Sequence, residues 1–229
     1  MVRQEEWQTA QILEKSYQQL TRSRPKSKPS QLLDQRFDLD KDFFFGKYVL
    51  EIGVAFSSKI HDIDGASLKV GLDPLAKYYA PAYPKSAEHI QGRGEELPFI
   101  DNCLDAIICI NTLDHTEKPH FVLLQIHRCL KKSGLLLFSV NTYSIPKFVR
   151  QTLLRRIDPM HPHHFSEKEV RLMFEDTFEI VAWFYKKHTF RERLRYLKGL
   201  IRSKRYRSIL KLQVAETFFG LRQVWIKCK

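Results

Sequence analysis

From Lys47 onward the chain alternates short apolar runs with amphipathic ones, and this alternation limits the folds open to it. The runs YVLEI (48–52), LKVGLD (68–73), LDAIICI (104–110), LLLFSV (135–140) and FEIVAWFY (178–185) read as strands. Between them, KPHFVLLQIHRCLKKSG has helical spacing, with Lys131 and Lys132 in a last turn that Gly134 would end. SEKE at 166–169 places Glu169 three residues after Ser166, the pattern of a capping box opening another helix. Nearly continuous apolar strands separated by helices imply a mostly parallel sheet covered on both faces. An α/β fold of this kind binds ligands beyond the carboxyl ends of its strands. The loops at 53–58, 73–79, 92–99, 111–116 and 141–146 are therefore where chemistry is expected.

Upstream, Trp7, Ala10, Leu13, Tyr17 and Leu20 recur at spacings of three and four, so residues 4–20 form a helix with one apolar face. TRSRPKSKPSQ follows as an exposed linker. The expected organisation is a helical cover and linker over 1–46 and one α/β domain over 47–229, with a basic helical insertion at about 188–215. At 229 residues such a domain needs no disulfide to fold. Cys103, Cys109, Cys129 and Cys228 form no metal-binding spacing and read as buried thiols. MVRQEEWQTA is too polar for a signal peptide, and no apolar run approaches the ~20 residues of a membrane span. The expected location is the cytoplasm, with attachment to a membrane surface as an option.

That option comes from the charge distribution. Residues 183–229 hold 14 Lys/Arg against 2 Asp/Glu, whereas the rest of the chain is balanced, so the net charge of +12 is local. Within FRERLRYLKGLIRSKRYRSILKL, residues 191–211 have an apolar side and a basic side. They fit a solvated cover over the sheet, a helix lying on an anionic membrane, or, less well, a nucleic-acid contact.

The strand ends carry the candidate site. Gly53 follows the first strand and tolerates a left-handed backbone. Asp73 ends the second strand, where a carboxylate can accept both hydroxyls of a ribose, although an aspartate there also serves as a simple helix cap. With VLEIG, VGLDP, GRGEELPFIDNCLD, NTLDH, IHRCLKKSG and LLLFSVN in this order, the chain resembles the class I S-adenosylmethionine-dependent methyltransferases, in the branch with an ExLPFxDxxFD-type motif. The resemblance spans about residues 47–185. It implies a Rossmann-like fold with a mostly parallel seven-stranded sheet, and S-adenosylmethionine as cofactor. It also implies cofactor contacts from Glu51, Gly53 and Ala55, from Asp73 and Pro74, from Gly94, Glu95 and Leu97, and from Asn111.

Three positions depart from the family. Ala55 and Ser57 stand where second and third glycines are usual, and Arg93 stands where an aspartate is common. A non-catalytic protein that keeps the fold is therefore a second reading, and an RNA methyltransferase using the basic segment a third.

Methyl transfer to oxygen or nitrogen calls for a base of near-neutral pKa, which histidine provides. His115 and His164 are the candidate catalytic bases. Asn141, Tyr143, His161 and His163 are the candidate substrate contacts. Asp114, His115, Asp158 and His161 could surround a divalent ion, but their spacing does not require one and no metal is expected. The acceptor expected is a small or lipid- or saccharide-linked molecule, methylated on oxygen.

Overall fold

The computed structural model describes residues 2–21, 33, 37–56, 58–79, 82–187 and 222–229. The sheet they build has the strands β1 (Tyr48–Ile52), β2 (Leu68–Asp73), β3 (Glu88–Gln91), β4 (Leu104–Ile110), β5 (Leu130–Thr142), β6 (Ile180–Lys187) and β7 (Arg222–Cys228). Their order is β3-β2-β1-β4-β5-β7-β6. β1 to β5 run parallel, and β7 is antiparallel to both β5 and β6. This is the Rossmann-like class I methyltransferase fold.

Successive strand residues go to opposite faces, and both faces are buried. Leu50, Ile107, Leu136 and Ile226 pack on one side with Val122 and Ile126 of the helix α3 (Pro119–Cys129) and with Val170 and Phe174 of a later helix, Glu167–Glu175. Val49, Ile108, Leu137 and Trp225 pack on the other side with Phe37, Phe44 and Ile60. The four cysteines are free, and all but Cys103 are buried.

α3 ends at Cys129 rather than at the expected Gly134. Leu130 already pairs with Leu104 in the sheet, and the register then shifts, so that Ala106 pairs with Leu135. Lys131 to Gly134 thus lie in an irregular start of β5, where Lys131 Nζ meets Asp105 Oδ1 at 2.7 Å. Burial of Leu130 against the sheet outweighs the helix-ending signal of the glycine.

The first helix, α1 (Gln4–Thr21), buries Ala10 and lies across the carboxyl ends of the strands. α2 (Ala76–Tyr79) follows β2. After β5 come α4 (Lys147–Val149), a π-helical turn at Arg150–Leu154 and α5 (Arg155–Ile157). α6 (Glu167–Glu175) opens with the expected capping box, Ser166 with Glu169. Ser57 and residues 188–221, which include the expected basic insertion and its 191–211 face, lie outside the described residues. Among the described residues no helix is long and apolar enough to cross a membrane.

Candidate functional site

A cavity of about 560 Å³ opens at the carboxyl ends of β1, β2 and β4, under α1. That volume lies within the ~300–1,000 Å³ of small-molecule and cofactor sites. Its floor is the turn after β1. Gly53 has φ +80°, and a Cβ there would stand 2.1 Å from Thr112 Oγ1. Thr112 in turn donates to the carbonyl of Ile52 at 3.0 Å. The glycine is therefore required by packing of the β4 turn against the β1 turn. Ala55, at the second glycine position, has φ +40°, so an L side chain occupies the left-handed region there.

Carboxylates organise this floor. Glu51 is buried and accepts from Ser58 Oγ at 2.7 Å, from the Lys59 amide at 2.8 Å and from the Ile60 amide at 2.8 Å. Its burial raises its pKa to about 7, against the lowering effect of those donors. Asp73 accepts from Leu75 N at 2.7 Å on Oδ1 and from Ala55 N at 3.2 Å on Oδ2. Among the described residues each oxygen thus has one protein donor, which leaves one lone pair per oxygen for a ligand. Burial raises the Asp73 pKa as well. The helix-cap reading and the ligand reading of Asp73 are therefore compatible.

Beyond β3, Gly94 packs where a Cβ would meet Val122 at 3.1 Å and Ile52 at 3.3 Å. Glu95 Oε1 accepts the amides of Glu117 at 2.8 Å and Lys118 at 3.1 Å, and so holds the start of α3. Its Oε2 has no protein partner among the described residues. Arg93 stands behind the cavity lining: its guanidinium meets Glu117 at 2.5 Å and Glu95 Oε1 at 3.6 Å, and lies 4.4 Å from the ring centroid of Trp7. The arginine that departs from the family pattern is thus an anchor for α1.

Glu51, Gly53, Ala55, Asp73, Pro74 and Gly94 line the cavity, and so do Glu95 and Asn111. Leu97 does not; it is part of the core under α3. The acceptor candidates divide. His115 and His161 line the cavity with Asn141, whereas His163 and His164 line a second cavity of about 400 Å³. Tyr143 is buried, its ring 5.4 Å from that of His164. Thr112 lines it from the expected 111–116 loop, whereas Gln11, Glu14 and Tyr17 of α1, Met160 and Gln223 are lining residues that the sequence reading did not name. Only the α1 residues had a signal, since Gln11 and Glu14 continue the face marked by Trp7.

The two cavity histidines differ. His115 Nδ1 sits 3.0 Å from the carbonyl of Met160. A carbonyl only accepts, so Nδ1 bears the hydrogen and Nε2 is the basic nitrogen. His161 Nδ1 lies 2.6 Å from Asp158 Oδ2, and His164 Nε2 is 3.4 Å from the same oxygen. Burial disfavours charge on His161, but the Asp158 and Asp114 carboxylates outweigh it and lift its pKa to about 10. Asp158 is correspondingly held below its usual range despite burial, by His161 and His164.

The residues fit S-adenosylmethionine. Glu14, Glu51, Asp73 and Glu95 line the cavity against two cationic side chains, Lys59 and His161, and this acidic excess suits a ligand carrying a sulfonium and an ammonium. Asp73 retains acceptor capacity for a ribose diol, and Glu95 Oε2 is open for an amino group.

Residues 51–138, from β1 through most of β5, match the family model described as a methyltransferase domain. Among curated proteins, none matches the sequence closely. Solved structures of the same fold include geranyl diphosphate C-methyltransferase of Streptomyces coelicolor A3(2), in complex with Mg2+, geranyl diphosphate and S-adenosyl-L-homocysteine. It is 14% identical with a TM-score of 0.65, covering 87% of this chain and 80% of its own. Phosphoethanolamine N-methyltransferase 2 of Haemonchus contortus is 13% identical with a TM-score of 0.61, over 87% of this chain and 51% of its own. The [4+2]-cyclase SpnF is 16% identical with a TM-score of 0.64, over 87% and 78%. Likeness at this identity establishes the fold; the cyclase shows that the fold hosts more than one chemistry. The matched sequence defines the class: the chain carries a methyltransferase domain. That domain is S-adenosylmethionine-dependent, with S-adenosylmethionine as its cofactor.

Proposed function

We propose that this methyltransferase acts on a small-molecule or lipid- or saccharide-linked acceptor and methylates an oxygen atom. The observation that carries this reading is the position of His115 in the same cavity as Gly53, Asp73 and Glu95. The acidic residues Glu14, Glu51, Asp73 and Glu95 line this cavity, and His115, His161 and Asn141 line it too.

Gly53, Asp73 and Glu95 would hold the cofactor, with Asp73 accepting from ribose hydroxyls and Glu95 from the adenine amino group. When bound, S-adenosylmethionine supplies a methyl group on a positively charged sulfur, already activated for transfer. The protein's share is then mainly alignment, together with removal of one proton from an acceptor hydroxyl. His115 is oriented for that proton, because the Met160 carbonyl holds the hydrogen on Nδ1. α1 closes the cavity from above through Trp7, Gln11 and Glu14 and limits its water. Oxygen is favoured over carbon because a neutral imidazole nitrogen is of use chiefly to an acceptor that must lose a proton.

The test is a panel of hydroxylated acceptors, lipid-linked sugars included, assayed for S-adenosylhomocysteine release. His115→Ala should lower kcat by about 10²–10⁴-fold and leave cofactor affinity within a factor of three. An unchanged kcat on an accepted substrate would remove His115 from the reaction. Binding to anionic vesicles or to RNA through residues 191–211 separates lipid-linked from nucleic-acid acceptors by its salt dependence.

A further inference from the structure

His115 and His161 of the cavity lining form, with the buried Asp114 behind them, a cluster whose residues are matched to more than proton transfer. Asp114, His115 and His161 each offer one ligand atom, and these atoms lie within 4.8 Å of one another. The two imidazole rings are 4.4 Å apart between centroids, and His161 Nε2 is 4.0 Å from Asp114 Oδ2.

Proximity alone would mean little, but two further features accompany it. Each histidine has Nδ1 committed to an acceptor: His115 to the Met160 carbonyl at 3.0 Å, His161 to the Asp158 carboxylate at 2.6 Å. This leaves Nε2 of both rings as the nitrogen a cation could take; on His161, which is protonated at neutral pH, the cation would displace the Nε2 proton to solvent. Metal-ligating histidines are held in this way, by a carboxylate or carbonyl on the other nitrogen. Asp158 is itself steadied by His164 at 3.4 Å. The second feature is Asp114, whose side chain is 4% exposed. Its Oδ1 is buried with no hydrogen-bond partner among the described residues. A carboxylate oxygen so placed is costly unless a donor or a cation fills the space beside it.

We propose that Asp114, His115 and His161 form a binding site for a divalent cation, with the remaining coordination positions open to the cavity. Two imidazoles and one carboxylate suit Zn2+, Mn2+ or Fe2+ better than Mg2+ or Ca2+, which prefer all-oxygen sites. Ligand atoms around a zinc ion stand roughly 3–3.5 Å apart, given bonds of about 2.0–2.1 Å. The three side chains therefore draw inward by small rotations on binding. A cation there would coordinate an acceptor through oxygen and ease loss of its hydroxyl proton to solvent. His115 would then activate the acceptor as a ligand rather than as the free base. Acceptors with two neighbouring oxygens, such as a diol or a hydroxy acid, would fill two open positions. This use of the cation rests on the proposed acceptor site; the binding of the cation does not.

The experiment strips the full chain with a chelator and titrates it with Zn2+ by calorimetry and with Co2+ by visible absorption. One Zn2+ per chain should bind with a micromolar or tighter Kd, and Co2+ should give a ligand-field band. His115→Ala and Asp114→Asn should each weaken binding at least tenfold, and Asp158→Asn about 10- to 100-fold. Circular dichroism identifies any variant that does not fold; the half-buried His115→Ala variant and the Co2+ band of the wild type then decide. A folded wild-type chain with no saturable binding overturns the site, as does binding that His115→Ala leaves unchanged. S-adenosylmethionine binding is measured on the same sample. Cofactor binding without zinc sinks the cation site alone, and zinc without cofactor sinks the methyl-transfer reading alone.

Discussion

The indole N–H of Trp7 donates to the backbone carbonyl of His115 at 3.0 Å, across a sequence separation of 108 residues. The same indole lies against the Arg93 guanidinium, which also pairs with Glu117. One residue thus ties α1 to the turn that carries the candidate base and to the segment that carries Glu95.

Trp7→Ala removes both ties. A hydrogen bond of this kind contributes ~0.5–1.5 kcal/mol, and a partly buried cation–π contact a similar amount. Cofactor affinity should fall by about 10-fold with the global fold kept, read by calorimetry together with circular dichroism. An unchanged dissociation constant would mean that α1 is not part of the cofactor enclosure.

Ala55 sits at φ +40°, at the second position of a loop that in the family has glycine. The left-handed backbone costs a residue with a Cβ roughly 1–2 kcal/mol, while glycine costs ~0.4–1 kcal/mol more entropy on folding. Ala55→Gly should therefore raise unfolding stability by up to about 1 kcal/mol in urea denaturation. A loss of stability would mean that the alanine methyl makes contacts worth more than the strain.

Glu51 gives a pH signature. In the folded chain its pKa is raised from the ordinary 4.5 to about 7 by burial. Between those values the folded chain holds a proton that the unfolded chain has released, so stability falls as pH rises. Below pH 4.5 there is no penalty, and above about 7 it is complete, at roughly 3 kcal/mol. Glu51→Gln disturbs the amides of Lys59 and Ile60 by a constant amount but removes the titration. The stability difference between variant and wild type should thus shift in favour of the variant from pH 5 to 7.5, and a flat difference would contradict the raised pKa.

The strands β1, β2 and β4 were legible from sequence to the residue, because each is an apolar run buried on both faces. β3 was not: Glu88–Gln91 is a short edge strand with polar ends, and it carries no apolar run. The end of α3 was misread because Lys131 and Gly134 signal a helix end locally, while Leu130 is claimed by the sheet. The strand-end loops were legible as the place of the site, since that follows from parallel topology. Which histidine enters the cavity was not. In DPMHPHHF, His161 and His164 look alike, and only the folding of that loop around Asp158 sends one to the cavity and the other to its neighbour.

The account rests on the cavity over Gly53 and Asp73 holding a cofactor despite Ala55 at a glycine position. The direct measurement is calorimetric titration of the full chain with S-adenosylmethionine and S-adenosylhomocysteine, beside Asp73→Ala. Micromolar binding of both ligands is expected, weakened at least tenfold in the variant, whose loss removes charged hydrogen bonds worth ~1.5–3 kcal/mol. No binding up to millimolar ligand by a folded wild-type sample, or equal binding by Asp73→Ala, would contradict it.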